Sequence, residues 1–162
     1  MTQPGDFFRI STSFDGSGPP PVGRIEGFPL DVNFPSDLRY IEPVVGMVRR
    51  QCASRSLPER VCNLTVPVAL TEALANAILY GNQEDRGKRV TLRASLSERT
   101  LIIEVADEGS GFDLDACTSD PTDPANLERE DGRGLFLMRN LMDRVERFTD
   151  GGNVVRLTLH RP

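Results

Sequence analysis

The sequence predicts a two-layer α/β sandwich, with helices on one face of a mixed, mostly antiparallel sheet. Three observations lead there. Stretches with period-two alternation of apolar residues occur once near the start, as a pair in the middle and as a pair at the end. Helix-period segments fill the gaps between them, two before the middle pair and one after it. Gly- and Asp-rich turns mark the junctions. The order is strand, two helices, two strands, loop, helix, two strands. At 162 residues this is most economically one domain with a core of its own.

Residues 1–24 contain the cluster Gly16-Ser17-Gly18-Pro19-Pro20-Pro21, which cannot enter a helix or a central strand, so they are expected to form a flexible arm ahead of the domain at 25–162. Phe7, Phe8 and Ile10 make that arm unusually apolar. Pro29 to Phe34 places Leu30, Val32 and Phe34 on one side of a strand. Ser36 is the expected N-cap of the next helix, whose Leu38, Ile41, Val45 and Val48 are spaced to face a core. Ser56-Leu57-Pro58 ends it. A second helical region runs from Glu59 to Tyr80, and Pro67 inside it predicts either a kink or a fresh start capped by Thr65.

The turn-rich segment Gly81 to Lys88 leads to strands Val90 to Ser97 and Thr100 to Ala106, joined at Glu98-Arg99. Their inward residues are Val90, Leu92, Ala94, Leu96 and Leu101, Ile103, Val105. Leu114 to Asp131 is poor in apolar residues and reads as a mobile loop. Gly134 to Asp143 then reads as a helix, with Leu135, Met138, Leu141 and Met142 on one face. Strands Arg144 to Phe148 and Asn153 to His160 close the chain around Gly151-Gly152.

Composition narrows the function. A net charge of -5 and a pI near 5.0 argue against nucleic acid, whose phosphates call for clustered Lys and Arg. No apolar run approaches the roughly 20 residues of a spanning helix, and the N-terminus lacks a signal peptide's basic and apolar regions, so the expected location is the cytoplasm, with no membrane partner. Cys52, Cys62 and Cys117 are too widely spaced for a CxxC metal site, and their odd number suggests no disulfide framework. The single histidine, His160, has no nucleophile motif pointing to it, which leaves a His-based hydrolase without support.

Three ordered motifs carry the chemistry. In Glu72-Ala73-Leu74-Ala75-Asn76-Ala77 the carboxylate and the amide stand at i and i+4, one turn apart on one helix face. A carboxylate accepts protons, and an amide oxygen can ligate a hard cation such as Mg²⁺. Asp107-Glu108-Gly109-Ser110-Gly111-Phe112 follows a buried strand, where its glycines permit turns and close backbone approach to a ligand. Gly132-Arg133-Gly134-Leu135 lies just before the expected helix, whose free amides and dipole favour phosphate.

With these motifs, residues 30 to 160 resemble the GHKL ATPase superfamily, matching its N box and its two glycine boxes, and with it the Bergerat-type ATP-binding fold. Glu-Ala-Leu-Ala-Asn-Ala, with Gly-Arg-Gly-Leu-Phe-Leu-Met-Arg-Asn-Leu-Met-Asp, looks more narrowly like the anti-sigma-factor serine kinases of bacterial partner-switching systems. The resemblance implies Glu72 as catalytic base and Asn76 as the Mg²⁺ ligand. Asp107 would accept a hydrogen bond from the adenine amine, with Gly109, Gly111 and Phe112 around the nucleotide and Gly132, Arg133, Gly134 and Leu135 at its phosphates. It favours one long helix over Glu59 to Tyr80 and makes the loop before Gly132 an ATP lid. Two positions depart from many relatives: Tyr80, where they have His, and Asn153, near which they have a Thr in the last hairpin.

The implied function is an ATP-dependent serine kinase that phosphorylates a STAS-domain antagonist, an anti-sigma factor that sequesters a sigma factor or an equivalent partner, and a homodimer. The alternative is a nucleotide-gated binding module of such a pathway without kinase activity; an intact Glu72 favours the kinase. A sensor histidine kinase is disfavoured because no phosphoacceptor His precedes the motifs. The ATPase half of a gyrase or MutL type machine is disfavoured by length.

Overall fold

The computed structural model describes residues 11–13, 29–109, 130–149 and 151–161. Six strands form one sheet: β1 (Ser11–Ser13), β2 (Leu30–Pro35), β3 (Arg89–Leu96), β4 (Thr100–Ala106), β5 (Arg144–Thr149) and β6 (Asn153–His160), in the order β1-β2-β3-β4-β6-β5. β1 runs parallel to β2, and every other pair is antiparallel. The expected mixed, mostly antiparallel sheet is therefore present. β1 falls within the stretch assigned to an arm; the rest of residues 1–24 lies outside the described residues.

The period-two pattern places the core as expected. Leu30, Val32 and Phe34 of β2, Val90, Leu92 and Ala94 of β3, and Leu101, Ile103 and Val105 of β4 are all buried on one face. Helices α1 (Ile41–Ser54), α2 (Val66–Asn76) and α3 (Glu130–Leu141) cover that face. The opposite face carries charges in register. Asp31 lies opposite Arg93, Arg93 opposite Glu104, Glu104 opposite Arg156, and Arg156 opposite Glu146, so the sign alternates across five strands. Ion pairs follow, Arg93 to Asp31 at 3.6 Å and Arg156 to Glu104 at 3.1 Å.

Helix α1 departs from expectation in its cap and its buried stripe. Asp37, not Ser36, caps the 3₁₀ turn Leu38–Tyr40 that leads into α1: its Oδ1 accepts the Arg39 backbone N–H at 3.0 Å, while α1 itself begins after Tyr40 without a side-chain cap. Ser36 instead turns its hydroxyl into the interior, where it has no hydrogen-bond partner among the described residues. A 3₁₀ turn, Leu38–Tyr40, precedes the α-helix, and the tighter winding shifts the phase of everything after it. The buried stripe is Val44, Met47, Val48, Gln51 and Cys52. Of the stripe expected inside, Val48 is buried, Ile41 and Val45 are partly buried against the core, and Leu38 is exposed; the last three line an open groove of about 910 Å³ between α1 and α2.

Pro67 neither restarts the second helix nor leaves a gap in it. Thr65 has helical dihedrals and caps nothing with its side chain, which rules out the fresh start. A π-helical turn, Val61–Thr65, runs directly into α2, and the Val66 N–H reaches back five residues to the Val61 carbonyl. That widened turn accommodates a residue with no N–H and a ring that would crowd a regular α-turn. A second π-helical turn, Ala77–Gly81, follows Asn76 without a break. The helix Val61–Gly81 thus reaches 21 residues, long and apolar enough over an 18-residue window to pass a length-and-composition test for crossing a membrane, as a buried core helix also does. Over half of that window is buried within the domain, as befits a helix at the centre of the core.

Candidate functional site

The site forms where α2 and its trailing π-helical turn meet the end of β4, the start of β6 and the first turns of α3. Glu72 and Asn76 point from α2 towards α3. Glu72 is half-buried and Asn76 buried, 5% exposed. Burial alone pushes the Glu72 carboxyl above its usual range. Among the described residues nothing hydrogen-bonds the Asn76 amide, which leaves its oxygen open to a ligand.

α3 begins at Glu130, four residues earlier than expected, so Gly132, Arg133 and Gly134 lie inside its opening turns rather than before it. Gly134 is seated on the motif pair of α2. A Cβ there would stand 2.6 Å from Glu72 Oε2 and 3.5 Å from Asn76 Nδ2. Among Gly132, Arg133 and Gly134, Gly132 lies in the first turn of α3, where a backbone N–H has no intrahelical acceptor. Leu135 is fully buried in the core.

The π-helical turn after Asn76 brings Gly81 against Asp107. The Asp107 carboxylate abuts the Cα of Gly81, Gly109 abuts the Gly81 carbonyl, and Gly152 abuts the Asp107 carbonyl, each too closely for a side chain. Asp107 is buried and fixed: Oδ1 accepts the Gly109 N–H at 2.8 Å and Asn153 Nδ2 at 3.0 Å, while its own N–H donates to the Asn153 carbonyl at 2.9 Å. Asn82, fully buried, clamps the next residue, accepting the Glu108 N–H at 2.8 Å and donating to the Arg89 carbonyl at 3.0 Å.

Of the residues expected at the site, Glu72 and Asn76 meet Gly134, and Asp107 and Gly109 meet Gly81 at the far end of the same helical run, while Gly132, Arg133 and Leu135 lie in α3. Ser110, Gly111 and Phe112 lie outside the described residues, as does most of the loop assigned to a lid. Sequence reasoning missed the positioning residues Gly81, Asn82 and Gly152, and treated Asn153 only as a departure. The signal for Asn153 lies in pairing: with Ala106 opposite Val154, the residue opening β6 must sit beside the one leaving β4.

The histidine kinase-like ATPase domain family matches residues 34–159. The chain belongs to that family. Among curated relatives, "Serine-protein kinase RsbW" of Bacillus subtilis is 35% identical over 96 residues, covering 56% of this chain and 60% of the relative. "Anti-sigma F factor" of Clostridium acetobutylicum is 34% identical over 98 residues, covering 59% of this chain and 67% of the relative. A "Serine-protein kinase RsbW" of Halalkalibacterium halodurans is 35% identical over 98 residues, covering 57% and 59%. The chain thus spans about three fifths of the length of the curated relatives it matches. Membership in this ATPase family implies nucleotide use.

Proposed function

We propose that this chain is a protein serine kinase and anti-sigma factor, which transfers the γ-phosphoryl group of ATP to a serine of a STAS-domain antagonist and sequesters a sigma factor or an equivalent partner in the cytoplasm. One observation carries the kinase reading: a carboxylate made more basic by burial, Glu72, stands one turn from the open amide of Asn76, against the opening turns of α3. A module that only bound nucleotide would have no use for a base there. Relatives named as serine-protein kinases and as an anti-sigma factor support it.

In this reading Asp107 holds the base of ATP through its carboxylate, and the first-turn amides of α3, with Arg133, hold the phosphates. Gly109, Gly111 and Phe112 border the nucleotide, and Leu135 contributes its backbone. The serine oxygen bonds to the γ-phosphorus, the bond from that phosphorus to the bridging oxygen breaks, ADP departs, and the hydroxyl proton passes to Glu72. Among the described residues no group of three acidic, His or Cys side chains could hold a metal unaided. The Asn76 amide oxygen does fit Mg²⁺ that takes its other ligands from phosphates and water, and the ion would neutralise phosphate charge. The family resemblance adds a homodimer.

The test is to incubate the purified chain and Mg-ATP with each STAS-domain protein encoded in the same genome, and to read intact masses. A phosphoryl gain on one candidate, lost with Glu72→Ala while ATP binding persists, is the expected result. ATP binding with no gain on any candidate would replace the kinase by a nucleotide-gated binding module.

A further inference from the structure

The environment of Asp107 bears on which purine the site accepts. A carboxylate offers about two acceptor positions on each oxygen. On Asp107 Oδ1 both are taken, by the Gly109 N–H at 2.8 Å and by Asn153 Nδ2 at 3.0 Å. Oδ2 lies against the Cα of Gly81, and no hydrogen bond from a described residue reaches it. A base in this site therefore meets a single acceptor oxygen rather than a two-oxygen fork.

Asn153 is held in the orientation that keeps Oδ1 occupied. Its Nδ2 also donates to the Gly109 carbonyl at 3.1 Å, and its Oδ1 accepts from an Arg147 guanidinium nitrogen at 3.1 Å. A guanidinium only donates and a carboxylate only accepts, so the amide between them has one satisfactory orientation. The residue is buried, 4% exposed, and its backbone carbonyl is committed to the Asp107 N–H. Arg147, Asn153 and Asp107 form a chain that runs from the surface of β5 to the pocket.

The two purines differ in the edge they present. Adenine offers one exocyclic amine beside a ring acceptor, whereas guanine offers a ring N–H and an amine side by side, a pair that suits both oxygens of a carboxylate at once. We infer that Asn153, held by Arg147, determines purine specificity: it occupies one oxygen of Asp107, leaving a single acceptor that takes adenine and denies guanine its two-point contact. The inference rests on Asp107 as the base contact in the proposed function.

The experiment is an equilibrium fluorescence titration of the full chain, with Mg²⁺, using ATP and GTP labelled with N-methylanthraniloyl on the ribose, which leaves the base edges free. Wild type is expected to prefer ATP by about 10- to 100-fold. Asn153→Ala reopens Oδ1, and the ATP/GTP preference is expected to fall about tenfold, mainly through tighter GTP binding. Arg147→Met removes an exposed guanidinium and leaves Asn153 in place, so the preference falls by a smaller factor, about threefold. It decides the question should circular dichroism show Asn153→Ala unfolded. Equal affinities in wild type, or an unchanged ratio in the folded variants, would overturn the inference and leave Asn153 a structural residue. Failure of folded wild type to bind either nucleotide would instead overturn the nucleotide reading of the site itself.

Discussion

Replacing Gly134 with alanine is expected to separate stability from catalysis. The new Cβ would stand 2.6 Å from Glu72 Oε2, whereas its other near neighbours, Asn76 Nδ2 and Glu72 Cδ, lie at an ordinary 3.5 Å. Against a comfortable contact of about 3.5 Å, the Glu72 oxygen must retreat by about 1 Å. That oxygen is the far end of a flexible side chain, so the move costs the fold little. Gly134 lies within α3, and Gly151 is the only described glycine with positive φ, so alanine fits the backbone. The exchange should gain about 0.8–1 kcal/mol of helix propensity. In a domain of this size that raises Tm by about 2–4 °C. A base displaced by about 1 Å should slow phosphoryl transfer by about 100-fold. Thermal melting and single-turnover transfer at saturating ATP measure the two effects, and in a Glu72→Ala background the alanine should cost no further rate. A lowered Tm, or a transfer rate within about threefold of wild type, would refute the contact argument.

Three further outcomes follow from the titrating groups. Because burial raises the Glu72 carboxyl above its ordinary 4.5, the acid limb of the transfer rate should lie at higher pH than for an exposed glutamate, and Glu72→Gln should abolish that limb; a pH–rate profile of both proteins decides. Hydrogen bonds from Arg39 hold the Asp37 carboxyl down at about 2 from 3.8. A depressed acid contributes stability that is present above its unfolded value and lost as pH falls through the folded one. Urea midpoints should therefore drop less for Asp37→Asn than for wild type between about pH 4 and pH 2, and equal drops would count against the ion pair. Burial pushes the Cys52 thiol up to about 12 and raises Cys62 as well. Peptide mapping after treatment with a disulfide reagent at about pH 8 should find both unmodified until the protein unfolds, and labelling in the native state would contradict their burial.

The sheet was legible in the sequence because its signal is local. Leu30, Val32 and Phe34, or Leu101, Ile103 and Val105, need no partner to reveal their face. The stripe of α1 was only partly legible: Val48 is buried as expected, but Leu38 lies in a 3₁₀ turn that winds 3.0 residues per turn, and a count begun there is offset from the helix that follows. Ser36 and Asp37 are both good N-caps by type, and only the direction of the chain leaving β2 chose between them. Pro67 announced an irregularity without its form, since a kink, a restart and a π-helical turn all satisfy a missing N–H. In the site, Glu72 and Asn76 were readable because helical spacing alone sets them on one face. Asn153 reaches Asp107 across 46 positions of sequence, through a strand pairing that no local pattern encodes. The close approach of Gly134 to Glu72 likewise depends on how α3 packs over α2.

The alternating charges on the open face of the sheet act as a vernier on strand registry. Hydrophobic alternation rejects a slip by one residue, because it would turn every core side chain outwards, yet it is blind to a slip by two. A two-residue slip of β4 would put Ile102 or Ala106 in the place of Glu104, between Arg93 and Arg156, and two arginines would face an apolar side chain instead of a carboxylate. The same slip would carry Asp107 away from Asn153. A row of exposed ion pairs that adds little to stability one by one thus helps decide which of several near-equivalent sheets is the native one.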